Sequence, residues 1–121
     1  MIKTNFDPAT KILELEPDGK LEAKDFQGLA ALVDPFLVEN GSLAGVLVHT
    51  KGFPGWKDFE SFTTHMRFVN DHHKKIKKIA VVTDSKLGDF MQRIAKHFVS
   101  AELKHFPYDK IADARAWITA S

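Results

Sequence analysis

Cysteine is absent from the 121 residues, which removes disulfides, thiolate metal sites and cysteine nucleophiles together. No apolar run approaches the roughly 20 residues that a membrane-spanning helix needs. A bias of charge is also missing: 17 Lys and Arg stand against 16 Asp and Glu, leaving a formal net charge of +1. The chain as a whole therefore carries no pull toward nucleic acid, and no nucleic-acid motif accompanies its one short basic run. Met1-Ile2-Lys3-Thr4-Asn5-Phe6 has no apolar stretch after its charge, so it does not read as a secretory leader. The expected location is cytoplasmic, with contact at the inner membrane face left open. What is present is ordinary: 44% hydrophobic and 27% charged residues, enough for a single domain over residues 1–121 with one core and no staples.

Periodicity then sets the order of elements. Ile2–Phe6 reads as a short first strand and Asp7-Pro8-Ala9-Thr10 as a turn. Lys11–Glu16 alternates apolar and polar residues, so the first two strands form an antiparallel hairpin. Apolar runs recur at Ile12–Leu15, Val46–His49, Ile79–Thr83 and Leu103–Phe106. Between them lie helical stripes. The first is Phe26, Leu29, Ala30, Val33 and Leu37, with Pro35 expected to kink or break the helix near Asp34 and Asn40-Gly41 to stop it. The second opens at Asp58 or a neighbour and places Trp56, Phe59, Phe62 or Thr63, Met66 and Val69 near one stripe. The third, capped by Asp84 or Ser85, carries Leu87, Phe90, Met91, Ile94, Ala95 and Phe98. Pro107 ends the last strand, which is an edge strand with Glu102 and Lys104 facing water. Asp109 caps a closing helix with Ile111, Ala114, Trp117 and Ile118.

Strands alternating with helices predict an α/β domain: a mixed, mostly parallel sheet of about five strands with four main helices. Right-handed crossovers between sequential strands put their helices on one face of the sheet. Val46-Leu47-Val48 is nevertheless apolar at consecutive positions and expects cover on both faces. Either the strand order reverses, or a hairpin, a displaced helix, a subunit or a ligand covers the second face.

Four segments are candidates for chemistry. The loop His49-Thr50-Lys51-Gly52-Phe53-Pro54-Gly55-Trp56 follows a central strand, where α/β proteins bind ligands. Its glycine spacing fits neither a Walker loop nor a dinucleotide fingerprint. Its aromatics either complete the core or line an apolar pocket or hinged flap. The run His72-His73-Lys74-Lys75-Ile76-Lys77-Lys78 is a solvated helix end or an anion-attracting patch. The histidines show neither His-Glu-x-x-His nor His-x₃-His spacing, so no metal or other cofactor is expected. His49 and Asp84, at the ends of neighbouring strands, would be a histidine–carboxylate pair of the sort general base catalysis uses. Helix capping by Asp84 or Ser85, with His49 satisfying a backbone group, is the favoured reading, because no Gly-x-Ser-x-Gly elbow and no evident oxyanion loop accompany the pair.

The order hairpin, helix, strand, helix, strand, helix, strand, helix, the Gly52-Phe53-Pro54-Gly55-Trp56 loop and the run Lys77-Lys78-Ile79-Ala80-Val81-Val82-Thr83-Asp84 together resemble the SpoIIAA-like family. Phe106 and Ala114-Arg115-Ala116-Trp117-Ile118 fit as well. That family shares the STAS fold of anti-sigma-factor antagonists and is similar to CRAL-TRIO lipid-carrier domains. Antagonists are switched by phosphorylation of a serine in an Asp-Ser motif after the third strand. Here the position reads His49-Thr50-Lys51-Gly52, with Thr50 the only nearby hydroxyl, so the switch does not carry over. The resemblance implies a non-enzymatic binding module for an apolar small molecule, a lipid or a membrane surface. The aromatics and methionines beside the glycine-bearing loop and on the helical stripes give the expected ligand-binding set Phe53, Trp56, Phe59, Phe62, Met66, Phe90 and Met91, with Lys74, Lys75, Lys77 and Lys78 as membrane or anion contacts. A homodimer is compatible with it. The alternatives are a STAS-type protein-interaction module without the phosphoserine switch and, further off, a hydrolase or isomerase using His49 and Asp84.

Overall fold

A short hairpin begins the sheet. Ile2–Asp7 (β1) pairs antiparallel with Ile12–Pro17 (β2), and Lys11, at φ 61°, closes the turn by donating its N–H to Asp7 O at 2.8 Å. Leu43–His49 (β3), Ile76–Val82 (β4) and Glu102–Phe106 (β5) then add in parallel, giving the sequential order β1-β2-β3-β4-β5. The computed structural model describes residues 1–52, 55–84 and 100–120. Among the described residues are three α-helices: Ala23–Asn40 (α1), Phe59–His72 (α2) and Ile111–Thr119 (α3), with a 3₁₀ turn over His73–Lys75. The fourth helix expected over Leu87–Phe98, with Phe90 and Met91, lies outside the described residues, as do Phe53 and Ser85.

The second face of the sheet is covered by a helix rather than by a reversal of strand order. Leu13, Phe26, Leu29, Val33, Leu37, Leu43 and Val46 form one buried cluster, with Trp56 and Phe68 packed against it. Ile12, Leu47, Ala80, Val82 and Phe106 form another on the opposite face with Ala114 and Ile118 of α3. Leu47 and Val46 thus sit in different cores, as consecutive apolar residues of a central strand should. The alternation slips once: Ala44 packs beside the second cluster, and the N–H groups of Ala44 and Gly45 both point at Lys11 O, at 2.9 and 3.4 Å. At Gly45 the helix comes so near that an added Cβ would lie 2.4 Å from Ile118 Cγ2. Glycine there is what lets α3 press onto the sheet.

Three local expectations need correction. Of the kink or break expected near Asp34 the break does not occur, because α1 continues through Pro35 to Asn40. The proline forfeits one hydrogen bond to the preceding turn, while Phe26, Leu29, Val33 and Leu37 along the same helix bury in the core. Gly41 stops the helix as its φ of 83° and its bond to Leu37 O require. The last helix is preceded by Lys110, with no side-chain cap, so Asp109 does not cap it. β4 begins at Ile76, so Lys77 and Lys78 belong to a strand and not to a helix end.

Candidate binding surface

Asp58 opens α2 by accepting from both the backbone N–H and the hydroxyl of Ser61, at 2.8 and 2.7 Å. These bonds favour the carboxylate and hold the Asp58 pKa below its usual value. The preceding residues are fixed by backbone. Leu21 N–H donates to Gly55 O at 2.8 Å and Lys57 N–H to Leu21 O at 2.9 Å, making a one-residue parallel bridge at Trp56. Lys57 Nζ donates to Glu22 at 3.1 Å, which lowers the Glu22 pKa. Trp56 is therefore moored on both sides and packs as the rim of the first core, edge-on to Phe62 at 4.8 Å.

The inward side of α2 is not the stripe that hydropathy suggests. Ser61 and His72 are buried, and His65 and Phe68 face α1. His65 stacks on Phe26 with ring centroids 4.4 Å apart and accepts a hydrogen bond from Trp56 Nε1 at 3.1 Å. Burial pushes its pKa down to about 4. His72 joins the two helices, with Nε2 at 2.7 Å from Asp34 Oδ1 and Nδ1 at 2.7 Å from Phe68 O. The spacing Ser61, His65, Phe68, His72 is helical, but three of its four members are polar, so an apolar template passes over it.

What the apolar template finds instead is the outward flank. Phe59 is 76% exposed and Met66 41% exposed. Phe62 is half-buried, with its ring 6.0 Å from that of Phe59. At 100° per residue, positions 59, 62, 66 and 69 share one flank, while Glu60, Thr63, Thr64, Arg67 and Asp71 line a groove of about 370 Å³ against Phe26, Gln27 and Ala30 of α1. The expected ligand residues thus divide: Trp56 at a core rim, Phe59, Phe62 and Met66 along an open face.

The basic run divides as well. Lys74 and Lys75 are exposed on the 3₁₀ turn at the far end of α2, about 20 Å from Phe59 at 1.5 Å per residue. Lys77 is exposed on β4. Lys78, on the other sheet face, donates to Trp117 O at 2.8 Å and Ala120 O at 2.7 Å, with its ammonium 5.1 Å from the Trp117 ring centroid. It closes the C-terminus of α3, where free carbonyls and the helix dipole favour a cation.

At the carboxyl edge of the sheet, His49 and Asp84 do not meet. His49 Nε2 donates to Tyr108 O at 2.9 Å, and the two rings stack at 4.3 Å. Asp84 is exposed, with its N–H directed at Lys51 O. No hydrogen bond joins the pair among the described residues. Thr50 Oγ1 donates to Gly52 O at 2.7 Å. His49 also borders a cleft of about 210 Å³ with Lys3, Glu14, Glu16 and Arg115, in which Arg115 grips Glu14 through two bonds of 2.8 and 2.9 Å. Among the described residues no three His, Asp or Glu side chains gather as metal ligands, and no helix is long and apolar enough to cross a membrane.

This sequence of strands, with helices on both faces, has known counterparts. The structure is similar to that of an uncharacterized protein from the DUF3478 family with a SpoIIAA-like fold, from Shewanella loihica PV-4. The two share 21% identity over 98% of this chain and 92% of the other, with a TM-score of 0.76. No curated protein matches. The family model described as SpoIIAA-like matches residues 12–119, from β2 to the end of α3. The chain belongs to the SpoIIAA-like family.

Proposed function

We propose that this chain is a non-enzymatic binding module that docks on an anionic lipid surface through the outward flank of α2. The observation that carries this reading is Phe59, a large aromatic 76% exposed beside Phe62 and in line with Met66. A contiguous apolar flank such as Phe59, Phe62 and Met66 supports an interaction face, and burying one large aromatic side chain contributes roughly 1.5–3 kcal/mol. Between residues 57 and 77 the chain carries five exposed cations, Lys57, Arg67, Lys74, Lys75 and Lys77, against three Asp or Glu. Each exposed cation near anionic lipid adds about 1 kcal/mol. A surface fits better than a carrier pocket, because both described clefts are lined by charged side chains rather than by an acyl-sized apolar wall.

The test is co-sedimentation with vesicles of phosphatidylglycerol and phosphatidylcholine. Binding should require the anionic lipid, weaken as salt is raised, and be lost in a folded Phe59→Ser/Met66→Ser variant. Equal sedimentation with purely neutral vesicles, or indifference to the double substitution, would sink the reading. Membership of the SpoIIAA-like family supports a second one, a STAS-type protein-interaction module. In this reading no phosphoserine switch operates, since the position after β3 holds Thr50 and no serine, and the Thr50 hydroxyl is turned onto Gly52 O. Retained partner capture by the Phe59→Ser/Met66→Ser variant would favour that alternative.

A further inference from the structure

The free edge of the sheet at β1 has an order that suits one occupant. Met1 and Asp18 exchange both backbone bonds, Asp18 N–H to Met1 O at 2.7 Å and the Met1 amino group to Asp18 O at 3.0 Å. Hydrogen-bonded and non-hydrogen-bonded pairs alternate along an antiparallel ladder. With the register Lys3↔Glu16, Asn5↔Glu14 and Asp7↔Ile12, those odd positions bond inward to β2. The N–H and C=O groups of Ile2, Thr4 and Phe6 therefore point out of the sheet. Among the described residues no backbone bond outside the hairpin engages them. β1 has six residues with no proline and no bulge, so its edge lacks most of the devices that discourage pairing.

We infer that a second copy of this chain pairs with β1, strand against strand and antiparallel, about a two-fold axis at Asn5. In that register Thr4 of each copy stands opposite Phe6 of the other, and both have outward backbone groups, so four N–H···O bonds form across the junction. Lys3 then falls opposite Asp7 at both ends. Both side chains are exposed, and opposite charges facing across a ladder are stabilising. A two-fold perpendicular to the sheet keeps α1 of both copies on the same face. There Phe6 meets Phe36 edge-on at 5.0 Å, and Leu32, one turn earlier on α1, is 40% exposed. The apolar flank Leu32–Phe36 of each protomer thus borders that of its partner, and an isologous interface results in which one patch serves both copies.

The test uses the absence of cysteine. A single Asn5→Cys substitution places two thiols face to face at a non-hydrogen-bonded pair, where Cα atoms stand about 4.5 Å apart and a disulfide closes without backbone movement. Mild oxidation should convert most of the Asn5→Cys protein to covalent dimer, while Lys20→Cys, exposed and away from the edge, should form no intersubunit disulfide. Analytical ultracentrifugation should show the wild-type protein as a dimer and Thr4→Pro as a monomer with unchanged circular dichroism. That proline removes an outward N–H and none of the inward ladder. A monomeric wild type, a Thr4→Pro protein that still dimerises, or cross-linking at Thr4→Cys in preference to Asn5→Cys would overturn the inference. Should Thr4→Pro fail to fold, the cross-linking comparison decides alone.

Discussion

Trp56 Nε1 donates to His65 Nδ1 at 3.1 Å, and this one bond fixes the imidazole as its neutral Nε2–H tautomer. An indole nitrogen only donates, so a proton on Nδ1 would set two donors against each other. The ring is also stacked on Phe26, away from the water a charge would need. Burial accordingly pushes the His65 pKa down to about 4.

A pH dependence of stability follows. The unfolded chain takes up a proton at His65 near the ordinary histidine value of 6.5, whereas the folded chain resists until about 4. Within that window the unfolded state binds more protons, so stability falls as the pH is lowered. Between pH 7 and pH 5 the loss from this residue is about 2 kcal/mol. Urea midpoints of wild type and His65→Leu should converge as the pH drops; parallel curves would show that His65 is not the titrating group.

Gly45→Ala should destabilise the domain by about 1–3 kcal/mol, because the new methyl meets Ile118 Cγ2 at 2.4 Å and α3 must move or distort. The same substitution in an Ile118→Ala background should cost clearly less. A double-mutant cycle in urea measures the coupling between the two positions, and strict additivity would contradict the proposed contact.

Lys78 and Lys77 are neighbours with opposite expectations. Lys78→Met removes two bonds to carbonyls at the end of α3 and should cost about 1–3 kcal/mol. Lys77→Met, on an exposed side chain, should stay within about 0.5 kcal/mol of wild type. Vesicle binding should respond the other way round, with the folded Lys78→Met protein retaining it and Lys74→Glu/Lys75→Glu losing most of it.

How much of this was legible in the sequence varied with the kind of signal. The hairpin, the parallel strands and the α1 stripe were plain, because alternation and 3.6-residue spacing act through nearest neighbours. The cover on the second face was not. It depends on Gly45, whose role is to have no side chain against Ile118, and on Lys78, whose charge disguised a strand residue as part of a helix end. The inward face of α2 was hidden for a related reason. His65 and His72 are core residues because Trp56, Asp34 and Phe68 satisfy their nitrogens, and hydropathy cannot register a partner contributed from elsewhere in the chain. Phe59 and Met66 showed the reverse: their apolar spacing was easy to see, but their exposure required the fold.

The most direct measurement of the central claim places a polarity-sensitive bimane label at Phe59→Cys, in a chain with no other cysteine. If the outward flank of α2 enters the headgroup region, adding phosphatidylglycerol vesicles should shift the emission to the blue and shield the label from an aqueous quencher. The same label on Lys20→Cys should not respond. Unchanged emission and quenching at position 59, under conditions where the vesicles are in excess, would contradict docking through this face.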